Sequence, residues 1–143
     1  MGKRIFKLAA LAAATASLAA SAPASAAEPV RLQFSKHAVS EGVWQGATSG
    51  DIAGDLETRL QSLRVSGPIW HVTFDWIVDA GARSFTARLD GTLNTKTGAV
   101  VMNGTVIAGY LQGAQVHEAG QLVDPATLAF AGDIRIMPAT AGR

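Results

Sequence analysis

The side chains able to do acid–base or metal chemistry are few and scattered. Three histidines are present, His37, His71 and His117, and none belongs to an H-x-H or H-E-x-x-H pattern. Their spacing therefore gathers no pair of imidazoles of the kind a zinc centre needs. His71 shares a strand face with Thr73 and Asp75 and reads as a solvated histidine, while His117-Glu118 falls near a strand end, where a rim role is the alternative. Asp51, Asp55 and Glu57 form a local acidic cluster without the calcium-loop pattern, as on a solvated strand face. No G-x-S-x-G elbow and no phosphate-binding glycine loop occurs. With no cysteine, thiol chemistry and disulfides are excluded. The expectation is a protein without metal or cofactor, whose catalytic residues, if any, carry no recognisable motif.

The aromatic residues are more informative. Trp70, Val72, Phe74, Trp76 and Val78 alternate with His71, Thr73, Asp75, Ile77 and Asp79, and after a four-residue loop Phe85, Ala87, Leu89, Gly91 and Leu93 alternate with Thr86, Arg88, Asp90 and Thr92. Period-two alternation of this kind is the mark of a half-buried strand. The loop length predicts a hairpin with Asp75 opposite Arg88 outside and Trp76 opposite Ala87 inside. A slip by one residue would expose two tryptophans and a phenylalanine, so the register is strongly specified. Val100, Met102, Gly104, Val106 and Ala108 continue the inner face, as do Leu128, Phe130, Gly132, Ile134 and Ile136.

Further strands are expected at Val30 to Lys36, at Val43 to Gln45 with Gly46 as a break, and at Ala114 to Glu118; His37 to Gly42 reads as a loop. Residues 55–63 admit two readings. Leu56, Leu60 and Leu63 fit a helical turn, but Gly50, Ile52, Gly54, Leu56, Thr58 and Leu60 also alternate, and the glycines favour one long strand. About eight strands joined by short turns predict an all-β, antiparallel closed barrel, with a β-sandwich as the alternative. Charged residues oppose the aromatic face, so the interior is apolar and the exterior wet, the reverse of an outer-membrane barrel.

Two segments are expected in the 143 residues: a secretory signal peptide over 1–26 and a single domain over 27–143. Lys3, Arg4 and Lys7 make a basic start, Leu8 to Ala20 an apolar run, and Ala24-Ser25-Ala26 a cleavage site. The leader holds three of the 12 basic residues and none of the 11 acidic ones, so the mature chain has nine against 11, a net charge of −2. That balance argues against a nucleic-acid or anionic-membrane partner. The destination expected is the periplasm or the medium.

SFTARLDGTLNTKTGAVVMNGTV, then GYLQGAQV and FAGDIRIMP, resembles the allene oxide cyclase-like and dirigent-like barrel superfamily over roughly Ile69 to Pro138, through glycine placement and strand rhythm. The resemblance implies an eight-stranded barrel, a trimeric assembly, small apolar or phenolic ligands and no metal or redox cofactor. No catalytic residue of that superfamily matches a position here, and the inner faces named above carry no acidic side chain.

Trp70, Phe74, Trp76, Phe85, Gly91, Met102, Gly104, Tyr110 and Phe130 are the candidates to line a ligand cavity, with glycines as its floor and indoles as its walls. Solid packing of the same residues is the competing expectation, since side chains can fill a barrel of eight strands. Three functions follow: an exported barrel binding a small apolar or phenolic molecule, a cofactor-free cyclase or isomerase of allene oxide cyclase type, and a structural module packed solid. The second requires a polar group at the cavity, supplied by Tyr110, Asn103 or His117. Intact mass of the exported protein is expected to show cleavage after Ala26; retention of Met1 would refute the leader.

Overall fold

A computed structural model describes residues 28–138, and the 1–26 leader and its cleavage site lie outside that range. Eight antiparallel strands close into one barrel. In chain order they are β1 (Val30–Ser40), β2 (Val43–Gly50), β3 (Gly54–Ser66), β4 (Ile69–Asp79), β5 (Phe85–Asn94), β6 (Ala99–Gly109), β7 (Gln115–Asp124) and β8 (Ala129–Met137). Each strand pairs with the next, and β1 closes the ring against β8 from Val30 opposite Ile136 to Lys36 opposite Phe130. Among the described residues, closure leaves no sheet edge open to pairing with another chain.

Alternation sets the facing. Along β4, Val72, Phe74, Trp76 and Val78 are buried, and their partners Phe85, Ala87 and Leu89 on β5 are buried with them. Asp75 lies opposite Arg88 and Trp76 opposite Ala87, the expected register. The Arg88 guanidinium donates from Nε and Nη2 to the two Asp75 carboxylate oxygens at 2.7 and 3.0 Å on the outer face. The barrel excludes the sandwich, and strand rather than helix holds over residues 55–63.

Several boundaries differ from expectation. β1 runs on to Ser40, so most of the expected loop from His37 to Gly42 is strand. β2 continues through Gly46 instead of breaking there, because this glycine lies where a Cβ would strike the backbone of Ser35 and Lys36. The single strand expected from Gly50 to Leu60 is divided: Gly50, at φ +95°, ends β2, and the chain turns through 51–53 before β3. Ile52 in that turn is nonetheless buried, so its side chain plugs this end of the barrel. The helix-like spacing of Leu60 and Leu63 has a specific cause. The register against β4 shifts between Leu60 and Ser62, leaving Gln61 as a bulge, and the extra residue brings both leucines to the inner side.

The 51–53, 80–84 and 110–114 connections lie at the plugged end, and the 41–42, 67–68, 95–98 and 125–128 connections at the other. Trp76→Ala is expected to cost about 3–5 kcal/mol, as removal of a buried aromatic does. Asp75→Ala, on the wet face, is expected to leave a urea midpoint nearly unchanged. Equal small shifts for the two variants would overturn the facing.

Candidate functional site

Two chains of alternation run inward to charged residues. On β1 the buried set is Leu32, Phe34 and Lys36; near β7 it is Ala114, Val116 and Glu118. Lys36 is only 6% exposed and Glu118 only 1%. This corrects the expectation that the interior carries no acidic group. It also corrects the rim position of Glu118, which lies between Met102 on β6 and Ile134 on β8.

Aromatic residues surround the amine. Lys36 Nζ lies 4.7 Å from the ring centre of Trp76, 5.1 Å from Phe74, 5.7 Å from Phe34 and 5.8 Å from Trp44. Faces of this kind attract a cation. Edge-to-face contacts between Phe34 and Trp76 at 4.9 Å and between Trp44 and Phe74 at 5.4 Å hold the rings. The ammonium donates one hydrogen bond, 3.2 Å long, to Thr58 Oγ1, and no carboxylate oxygen lies within 4.0 Å of it among the described residues. Glu118 Oε1 and Trp76 Nε1 are buried without a hydrogen-bond partner among those residues. Gly120 leaves room beside this group, since a Cβ there would crowd the Phe34 ring and contact Glu118 Oε2.

Burial pulls the Lys36 amine down to about 8, against the opposing pull of Glu118, and burial raises the Glu118 carboxyl to about 7, against Lys36. Burial thus disfavours the charged form of each group, although near pH 7 the amine is still mostly protonated.

Above the pair lies an apolar cavity of about 290 Å³. Lys36, Glu118, Phe74 and Met102 line its inner part, together with Val72 and Val100. At its mouth stand Leu63, Trp70 and Leu128, which are 44%, 37% and 46% exposed. Trp44 donates from Nε1 to the Leu128 carbonyl at 2.9 Å, tying β2 to the 125–128 turn and fixing one wall. The volume falls just short of the range, about 300–1,000 Å³, usual for small-molecule sites.

Of the nine sequence candidates, Trp70, Phe74, Met102 and Phe130 line this cavity. Trp76 is buried beneath it, with the Lys36 amine over its ring, and Phe85 packs in the core on the first residue of β5, toward the plugged end. Gly91 and Gly104 do not form a floor. A Cβ on Gly91 would collide with Val101 and Met102, and one on Gly104 with the Arg88 and Leu89 backbone, so these glycines permit close strand approach in a tightly curved sheet. Tyr110 sits in the turn after β6 at the plugged end, its ring 5.9 Å from the Arg83 guanidinium. Asn103 and His117 bond each other at 2.8 Å on the outer face. The ionisable groups at the cavity among the described residues are therefore Lys36 and Glu118, and Thr95 adds a hydroxyl already committed to the Pro68 carbonyl at 2.9 Å. Among the described residues no set of three His, Asp or Glu side chains gathers as for a metal, and no helix is long and apolar enough to cross a membrane.

No family model matches the chain, and searches of curated proteins and of solved structures return no match.

The pair makes stability depend on pH in a definite sense. Glu118 holds its proton more tightly when folded, so its contribution is full below about 4.5 and falls away up to about 7. Lys36 releases its proton more readily when folded, so its contribution is full above 10.5 and falls away as pH drops to about 8. A minimum between about 7 and 8 is expected in urea midpoints followed across pH. Glu118→Gln should remove the acid limb. The double variant Lys36→Met/Glu118→Leu should be at least as stable as wild type at neutral pH, by up to about 1–4 kcal/mol, as for other buried ion pairs replaced by apolar residues.

Proposed function

We propose that the barrel binds a small, largely apolar molecule carrying one polar end, and that it does so as an exported protein of the allene oxide cyclase-like type. The observation that carries this reading is the pairing of an open apolar cavity with Lys36 and Glu118 in its inner part. Burying a charged group is costly unless it is matched by a partner. A ligand whose polar end hydrogen-bonds these groups would supply the partner that Glu118 Oε1 lacks. The apolar walls would take up the rest of the molecule by the hydrophobic effect. Phenolic compounds fit such a division, with one hydroxyl and an aromatic body.

The same pair supports a second reading, a cofactor-free isomerase. Glu118, raised to about 7, is placed to accept and return a proton near neutrality, and Lys36 to hydrogen-bond a developing oxyanion. This reading required a polar group at the cavity, and Glu118 meets that requirement in place of Tyr110.

Titration with substituted phenols should quench tryptophan fluorescence saturably, since Trp44 and Trp70 both line the cavity. Leu122→Trp, which enlarges a half-buried wall residue, should weaken that binding at least about tenfold, a loss of about 1.4 kcal/mol. Lys36→Met should weaken it without changing the fold. An unsaturable response shared equally by all three proteins would refute the cavity as a binding site.

A further inference from the structure

Within this binding reading, we propose that Lys36 captures an aldehyde or ketone as an imine inside the barrel, with Glu118 handling the proton. Among the described residues Lys36 is the one amine that lines the cavity, and it makes a single hydrogen bond, to Thr58. Glu118 lines the same cavity with a carboxyl oxygen that has no partner among the described residues, and no other ionisable side chain of those residues lines it. An amine adds to a carbonyl through its free electron pair, so it must first shed its proton, and desolvation by burial, acting against the pull of Glu118 and of the rings, brings that loss closer to neutral pH. With the amine at about 8, about one molecule in ten holds it unprotonated at pH 7.

The step balances within the site. The Nζ electron pair forms a bond to the carbonyl carbon, and one amine proton passes to the carbonyl oxygen, giving a carbinolamine. Glu118 then donates its proton to that hydroxyl, which leaves as water as the C=N bond forms. The products are a protonated imine and the Glu118 carboxylate, from an amine, a carboxylic acid and a carbonyl. Hydrolysis reverses each step, and no oxidant or reductant takes part. The imine nitrogen keeps the positive charge among the rings of Phe34, Trp44, Phe74 and Trp76, which favour a cation.

Charge separates a carbonyl compound from an acid as the ligand. A carboxylate would have to shed its hydration past Leu63, Trp70 and Leu128 and add a third charge to the buried pair. A neutral carbonyl compound crosses the same mouth with no charge to desolvate, and its capture leaves the site's net charge unchanged.

The test uses trans-cinnamaldehyde with sodium cyanoborohydride at neutral pH, read by intact mass and peptide mapping. Lys96, exposed on the turn after β5, is an internal control. One reduced adduct is expected on Lys36, formed at least about tenfold faster than on Lys96 or the N-terminal amine. Lys36→Met should lose that adduct, and Glu118→Gln should slow it by about 100-fold, the scale of one general acid. Selectivity in the wild type decides the matter even if a variant fails to fold. Cinnamyl alcohol, which has no carbonyl group, separates the two readings. If the alcohol binds saturably but Lys36 gains no adduct, imine capture is overturned while the binding site stands. If neither compound engages the barrel, both fall. Labelling of Lys96 as fast as Lys36 also overturns the proposal.

Discussion

Closure of the sheet is the constraint on which the rest of the interior depends. Once β1 pairs with β8, from Val30 opposite Ile136 to Lys36 opposite Phe130, every inward residue faces a finite shared volume. Alternation then leaves no choice: a residue in phase with Leu32 and Phe34 must enter the barrel whatever its chemistry. Lys36 is such a residue, and Glu118, in phase with Val116, is another. The glycines serve the same closure. At Gly91 and Gly104 a Cβ would meet the neighbouring strand's backbone, so the curvature that shapes the cavity depends on residues that do not line it.

Much of this was legible in the residues. The facing of β4 and β5 followed from plain alternation, and so did the pairing of Asp75 with Arg88. The barrel followed from the number of such strands and the shortness of their turns. The boundaries were less legible where a glycine served contact between strands and looked instead like a break, as at Gly46. Residues 55–63 were ambiguous for another reason. A bulge at Gln61 adds one residue between Leu60 and Leu63, and two inward side chains three apart imitate a helical stripe.

The site was missed although its signal was present. Leu32, Phe34, Lys36 and Ala114, Val116, Glu118 each continue an unbroken period of two. A lysine or glutamate near a strand end is ordinarily solvated, so phase alone was weak evidence that these two turn inward. What distinguishes them is a partner 82 positions away in sequence but within one barrel, and a collar of rings contributed by three different strands. Tyr110 erred in the opposite direction. Its residue type suits catalysis, but its turn belongs to the plugged end.

The energetics bear on why the pair is there. An eight-stranded barrel is narrow enough for side chains to fill, and apolar residues of similar size could pack the positions of Lys36 and Glu118 at less cost. This barrel departs from that solution in three ways at one level of its interior. It buries two ionisable groups, it leaves Trp76 Nε1 and Glu118 Oε1 without partners, and it keeps about 290 Å³ above them free of side chains. Each departure lowers stability, the unpartnered atoms by about 1–3 kcal/mol apiece. Local rules of packing and polar satisfaction tend to fail together where a protein uses a site and is compensated elsewhere. The compensation here is visible in the closed hydrogen-bond ring and in a plugged end formed by Ile52, Phe85 and Ala114. Solid packing alone gives no reason to combine those costs, and the binding reading proposed above accounts for two of them, the cavity and the buried pair that lines it.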